Sequence, residues 1–183
     1  MAKLISKTYG EALFELAVEE NKVSVLVDEI QNILQVLKDN PEFLSLMTHP
    51  KILKEEKVKV MEEVFKGRIQ KELVGFFRLI ITKDRYGEID SILNYFLDEV
   101  KKLQGIGVVY VTTAESLDPL QKQKVEKRIL QTTGYKRLEM HYKTDKELIG
   151  GMVIRIGDRV VDSSVKTKLN ELTKQLLKVQ LVQ

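Results

Sequence analysis

The hydrophobic period of this chain changes once, at Gln104-Gly105-Ile106-Gly107. Before that point the apolar residues recur at helical spacing, and after it they alternate as in strands. Two glycines flanking one residue make poor helix and suit a linker or a strand start. The switch predicts an α+β protein, predominantly α: an N-terminal six-helix bundle over residues 1–104 and a small C-terminal α+β domain over residues 105–183.

In the first part Val23, Leu26, Val27, Ile30, Ile33, Leu34 and Leu37 form the stripe of a helix with one buried face. Asn40-Pro41 stops it, because proline cannot donate within a helix and the residue before it avoids helical geometry. Phe43, Leu44 and Met47 mark a short segment. Pro50 is then expected to open a helix carrying Leu53, Val60, Met61, Val64 and Phe65 and ending near Gly67. Two further stripes follow, Ile69, Leu73, Phe76, Phe77 and Ile80, then Ile89, Ile92, Leu93, Phe96, Val100 and Leu103. With the opening helix of Ile5, Tyr9, Leu13 and Leu16, about six helices result.

In the second part residues 108–114, "VVYVTTA", are rich in β-branched and aromatic side chains. Asp118-Pro119 supplies the cap and first turn of a helix bearing Leu120, Val125, Ile129 and Leu130. In "RLEMHYK" Leu138, Met140 and Tyr142 face one way and Glu139, His141 and Lys143 the other. Residues 148–164, "LIGGMVIRIGDRVVDSS", read as a strand with Met152, Ile154 and Ile156 on one face, a Gly157-Asp158 hairpin turn, a return strand at Val160-Val161 and a helix cap at Asp162-Ser163-Ser164. The last helix carries Val165, Leu169, Leu172, Leu176 and Val179 in one apolar seam.

Catalytic chemistry finds little foothold. The absence of cysteine excludes disulfides, thiolate metal sites and a cysteine nucleophile. Gly150-Gly151 leads into a strand without the lysine and helix start that a phosphate loop needs, so these glycines are read as positions where a side chain would clash or where φ is positive. Arg155 and Arg159 flank the hairpin as anion ligands or, more ordinarily, as solvated side chains. His49 and His141 have no companion ligands at metal-site spacing, and the carboxylates are dispersed among lysines. No catalytic residue, metal or cofactor is expected.

Binding signals are stronger. The net charge of +3 divides unevenly: residues 1–100 carry 14 Lys/Arg and 18 Asp/Glu, a balance of −4, and residues 101–183 carry 16 and 9, a balance of +7. This fits two units with different partners, or two solvated surfaces that differ. The opening helix adds Ala12, Phe14, Ala17 and Val18 to its core stripe, and the helix of Phe76, Phe77, Leu79, Ile80 and Ile81 is apolar nearly all round. Either both lie centrally in the bundle or part of their surface forms a partner groove. The terminal seam packs on the sheet or, flanked by Lys166, Lys168, Lys174 and Lys178, meets an acidic partner helix. A basic nucleic-acid-binding module is the alternative reading of the same lysines, weakened by the lack of an RNP-like or GXXG signature. No apolar run reaches the ~20 residues of a membrane span, and the chain start lacks the apolar core of a signal peptide.

Residues 145–172, "DKELIGGMVIRIGDRVVDSSVKTKLNEL", resemble the C-terminal signature of the F-type ATP synthase delta subunit, whose mitochondrial counterpart is the oligomycin-sensitivity-conferring protein. "YGEALFELA", Tyr9 to Ala17, is similar to the opening motif of the same family, with Gly10 where alanine is common. The resemblance implies a non-catalytic stator subunit, a monomer within its complex, linking the catalytic head to membrane-anchored b subunits so that the head resists rotor torque. It implies docking of an alpha subunit's N-terminal helix on the first and fifth helices, here Tyr9, Ala12, Leu13 and Leu16 with Phe76, Leu79 and Ile80. It further implies that Gly150, Gly151, Arg155, Arg159, Val165, Leu169, Leu172 and Leu176 receive the ends of the b subunits. No nucleic acid, cofactor or membrane insertion belongs to that picture, and the lack of a transit peptide favours the cytoplasmic face of a bacterial plasma membrane.

Overall fold

The opening stripe forms α1, Ala2–Glu19, in a computed structural model that describes residues 2–180, with side chains described for residues 4–177. The chain divides into two compact units, Met1–Val100 and Lys101–Gln183, the division falling in the last turn of α6. It is an α+β protein dominated by helix.

The first unit contains α2 (Val23–Asp39), α3 (Pro41–Thr48), α4 (Lys54–Phe65), α5 (Lys71–Thr82), a short 3-10 turn at Tyr86–Glu88 and the greater part of α6 (Ile89–Leu103). Each helix turns its periodic apolar row inward: Leu26, Ile30, Ile33 and Leu37 from α2, Leu73, Phe76, Phe77, Ile80 and Ile81 from α5, and Ile89, Ile92, Leu93, Phe96 and Val100 from α6. Leu13 and Ala17 of α1 join the same core. Each fully buried Leu, Ile or Phe contributes about 1.5–3 kcal/mol relative to exposure. Phe65 and Phe77 stack at 5.5 Å, and Phe43 meets the Phe65 ring edge-on at 6.0 Å.

Polar contacts fix the helix ends. Glu29 of α2 accepts the backbone N–H of Gln70 at 2.9 Å and so caps α5 from another helix. Lys22, before α2, donates to Glu72 of α5 at 2.6 Å; the hydrogen bond and charge of Lys22 hold the Glu72 carboxyl below its ordinary range and Lys22 above its own. Contrary to the expectation for Pro50, α4 begins at Lys54 with Leu53 as its N-cap, and Pro50 lies in a turn after the His49 C-cap of α3. Two glycines stand inside helices of this unit, Gly10 and Gly75, at about 1 kcal/mol each relative to alanine.

The second unit is a four-stranded sheet with order β2-β1-β3-β4. Its strands are β1 (Ile106–Thr113), β2 (Arg137–Thr144), β3 (Met152–Ile156) and β4 (Arg159–Asp162). β1 and β2 are parallel and joined by α7 (Pro119–Thr132), while β3 pairs antiparallel with β1 and β4. Asp118 caps α7 in a reciprocal capping box: it accepts from Gln121 N, and Gln121 returns the bond to Asp118 N. Val109, Val111 and Ile129 are the buried centre, with Val125, Leu138, Met140, Tyr142, Ile154 and Ile156 around them. Leu120, expected on the apolar side of α7, is exposed.

Two connections define the end of this unit. Gly151 has φ +76°, and a Cβ there would run into the Ser163 carbonyl oxygen; a Cβ on Gly150 would stand 3.1 Å from Val165 Cγ2. The double glycine thus lets the chain pass beneath the start of α8 (Val165–Gln180). Asp162 accepts the N–H of Ser164 at 2.8 Å and the hydroxyl of Thr167 at 2.8 Å, and Ser164 Oγ accepts the N–H of Thr167 at 3.2 Å. These bonds satisfy the open N–H groups of the first turn.

Candidate docking surfaces

In the first unit α1 and α5 each present one side inward and one outward. Leu13 and Ile80 are 1% and 0% exposed, and Phe76 is also buried; all three belong to the unit's own core. Little of their surface is open, unlike that of the other expected docking positions. Tyr9 and Leu16 are half-buried, Ala12 is exposed and Leu79 is 44% exposed. The exposed side of α5 also carries Lys71, Gly75, Arg78 and Thr82, so this helix is not apolar all round. On α1, Leu4 and Val18 are exposed as well.

In the second unit the α8 seam does not pack on the sheet. Val165, Leu169, Leu172 and Leu176 are all exposed, Leu176 by 68%, and Leu177 beside them is exposed too. Val179 and Lys178 lie outside the residues whose side chains are described. An amphipathic pattern reports that one face of a helix favours burial without naming the surface that buries it, and here the row is open.

The sheet has a second open face. His141, Tyr110 and Arg155 are register partners across β2, β1 and β3. The His141 and Tyr110 rings stack at 4.9 Å, and the Arg155 guanidinium lies 5.9 Å from the Tyr110 ring centre, within cation–π range. Arg155 and Val160 line a cleft of about 390 Å³ with Tyr110, Thr112 and Val153. Arg159, at the start of β4, is exposed outside that lining. His141 contacts Glu139 at 2.9 Å, and Lys101 binds the same carboxylate at 2.7 Å; Lys101 first, then His141, holds the Glu139 carboxyl below its ordinary range.

Sequence reasoning missed Ile149. It has φ +65°, where a β-branched residue is strained, and its side chain is 65% exposed beside a cleft of about 740 Å³ lined by Thr113, Gln121, Lys146, Gly150 and Gly151 among others. No sequence signal reports such a conformation, because β-branched residues ordinarily avoid it. Tyr110 was visible only as a strand aromatic; its stacking partners needed the register.

The polar groups that suggest chemistry have structural tasks. Ser163 Oγ donates to the Met152 carbonyl at 2.9 Å, Ser164 caps α8, and His49 Nδ1 accepts from Lys51 N at 3.2 Å. Among the described residues no group of three or more His, Asp or Glu side chains is placed to hold a metal ion, and no helix is long and apolar enough to cross a membrane. Each unit thus leaves apolar or aromatic side chains open on its regular elements.

The family described as ATP synthase delta (OSCP) subunit matches residues 5–176. The ATP synthase subunit delta of Lachnoclostridium phytofermentans is 49% identical over 99% of this chain and 100% of its own length. That of Alkaliphilus oremlandii is 32% identical over 98% and 99% respectively. A chain in the cryo-EM structure of the Toxoplasma gondii mitochondrial ATP synthase hexamer shares the fold, with a TM-score of 0.74 at 20% identity over 94% of this chain and 97% of that one. The chain belongs to the ATP synthase delta (OSCP) subunit family. It is accordingly a structural, non-catalytic subunit of the peripheral stalk of an F-type ATP synthase, a membrane-associated complex, and this decides against the nucleic-acid reading.

Proposed function

We propose that the chain is a two-ended tether, with residues 1–104 acting as the six-helix bundle that docks on the catalytic head and residues 105–183 holding the ends of the b subunits. The head contact is the N-terminal helix of an alpha subunit laid along α1 and α5, touching Tyr9, Ala12, Leu16 and Leu79. Leu13, Phe76 and Ile80 support that surface from the core. The b-subunit contact is the open seam of α8, Val165, Leu169, Leu172 and Leu176, together with the sheet face of Arg155 and neighbouring Arg159 and the double-glycine corner at Gly150 and Gly151. In this reading the protein sits at the cytoplasmic face of a bacterial plasma membrane, one copy per complex.

The exposed seam of α8 carries the reading furthest. Four large or branched apolar side chains in one row, all open, are what a helical partner would desolvate. The role is mechanical: rotor torque does work on the catalytic sites only if the head is held still, and an already folded adaptor with a desolvated apolar contact at each end resists slipping at little ordering cost. Titration of the full-length protein with an alpha N-terminal peptide and with a b C-terminal segment tests it. Leu79→Asp is expected to remove the first binding and spare the second, and Leu172→Asp to do the reverse. Loss of both by either substitution, with the fold intact, would contradict a tether with separate ends.

A further inference from the structure

The turn that leads into β3 adopts a conformation its sequence disfavours. After the short 3-10 turn Lys146–Leu148 the chain reverses at Ile149, with φ +65° and ψ −37°. Glycine or asparagine ordinarily ends a turn in this way, because a Cβ, and above all a branched one, is crowded at positive φ. Packing does not compensate, since the Ile149 side chain is 65% exposed. The conformation is therefore imposed by the backbone contacts on either side of it.

Those contacts belong to the root of α8. With the chain reversed, Ile149 N donates to the Lys146 carbonyl at 3.2 Å, and the next carbonyl, that of Gly150, accepts from Val165 N at 3.0 Å. Lys166 adds an exposed ion pair with Glu147 at 2.9 Å. Beyond Thr167 the anchoring ends. Residues 168–177 are all exposed, and the one side-chain hydrogen bond among them, from Thr173 to the Leu169 carbonyl, stays within the helix. A short helix without packing is marginal in water. α8 is thus an arm carried by a small root, and the root holds Ile149 in its strained form.

We propose that Ile149 is a strained latch for this arm. Docking of the α8 root on the 146–150 turn forces the positive φ, and lifting of the root lets Ile149 relax, so the arm and the turn open together while the sheet stays folded. The strain brings the docked and released states closer in free energy, which makes α8 a part that detaches and returns as one local unit. This concerns the free chain and needs no partner at either end.

The test is amide hydrogen exchange on the full-length protein. It is read at Val165, whose bond to Gly150 breaks when the root lifts, and at Val109 and Val111 in the buried centre of the sheet. Ile149→Gly removes the strain and is expected to slow exchange at Val165 about tenfold, after allowance for the extra freedom of glycine in the released state. Val109 and Val111 should keep their wild-type rates. Ile149→Val keeps the branched side chain and should stay within about twofold of wild type. Glu147→Gln removes the ion pair at the root and should speed exchange at Val165 about twofold. Unchanged or faster exchange in Ile149→Gly would overturn the proposal. So would equal slowing at Val109 and Val111, which marks stabilisation of the whole unit. Slowing in Ile149→Val as large as in Ile149→Gly would trace the effect to the side chain instead of the strain, and that also overturns it.

Discussion

The ring of Tyr95 lies against the backbone of Gly10, so that a Cβ at position 10 would stand 2.5 Å from ring carbon Cδ1 and 3.1 Å from Tyr95 Cβ. The Tyr95 hydroxyl donates to Glu11 Oε1 at 3.1 Å, which ties the ring to the next residue of α1. Because the nearest atoms include the root of the side chain, the ring cannot swing clear by a small rotation. Gly10→Ala is expected to destabilise the first unit by about 1–3 kcal/mol despite the better helix propensity of alanine. In a double-mutant cycle, Tyr95→Ala should remove most of that penalty. Thermal denaturation of the four proteins checks it, and additive effects would contradict the packing argument.

Core and surface positions on the same two helices should separate cleanly. Leu13→Asp and Ile80→Asp place an unpaired carboxylate at side chains 1% and 0% exposed, and are expected to unfold the first unit, a loss of several kcal/mol. Leu79→Asp, on the open side of α5, should change stability by no more than about 0.5 kcal/mol. Helical circular dichroism on heating distinguishes them, with loss of structure in the first two variants and a wild-type melt in the third.

The glycines of the second unit should differ by what surrounds them. Gly151→Ala meets both a positive φ and the Ser163 carbonyl, and is expected to lose about 3 kcal/mol. Gly157 also has positive φ, at +56°, but nothing lies within 4 Å of a Cβ there. Gly157→Asn in the hairpin turn should therefore lose less than about 1 kcal/mol. Chemical denaturation of the two variants checks the order, and equal losses would contradict the close approach at Gly151.

Asp162 gives the second unit a defined acid response. The Ser164 N–H, the Ser164 side chain and the Thr167 hydroxyl hold its carboxyl below the ordinary aspartate range. A carboxyl lowered on folding stabilises the folded state above its unfolded value, about 3.9, and that stabilisation disappears as pH falls through the lower folded value. The start of α8 should thus be indifferent between pH 7 and 5 and loosen only below about pH 4. The carboxyl carbon shift of Asp162 followed by NMR reports the midpoint directly, and a midpoint at or above the ordinary aspartate value would contradict the capping role.

Much of the fold was legible because periodicity and punctuation agree. The rows of α2, α5 and α6 could be read from spacing alone, and Asp118-Pro119 announced α7 through the chemistry of its cap. Surfaces were less legible. Leu13 and Leu79 look alike in sequence, yet one is core and the other open, since the helical period fixes a row's direction only once its neighbours are placed. The α8 row left two readings open, the sheet or a partner helix, for the same reason. The His141, Tyr110 and Arg155 stack depends on strand register, and the Ile149 conformation runs against its own propensity.

The central claim is that one chain holds two partners at once through separate surfaces. The direct measurement is the mass, by sedimentation or light scattering, of the full-length protein mixed with both the alpha N-terminal peptide, fused to a carrier for detectable mass, and the b C-terminal segment. A single ternary species, lost to one binary species by Leu79→Asp and to the other by Leu172→Asp, is the expected result. Mutually exclusive binary complexes, or no complex with either partner, would contradict it.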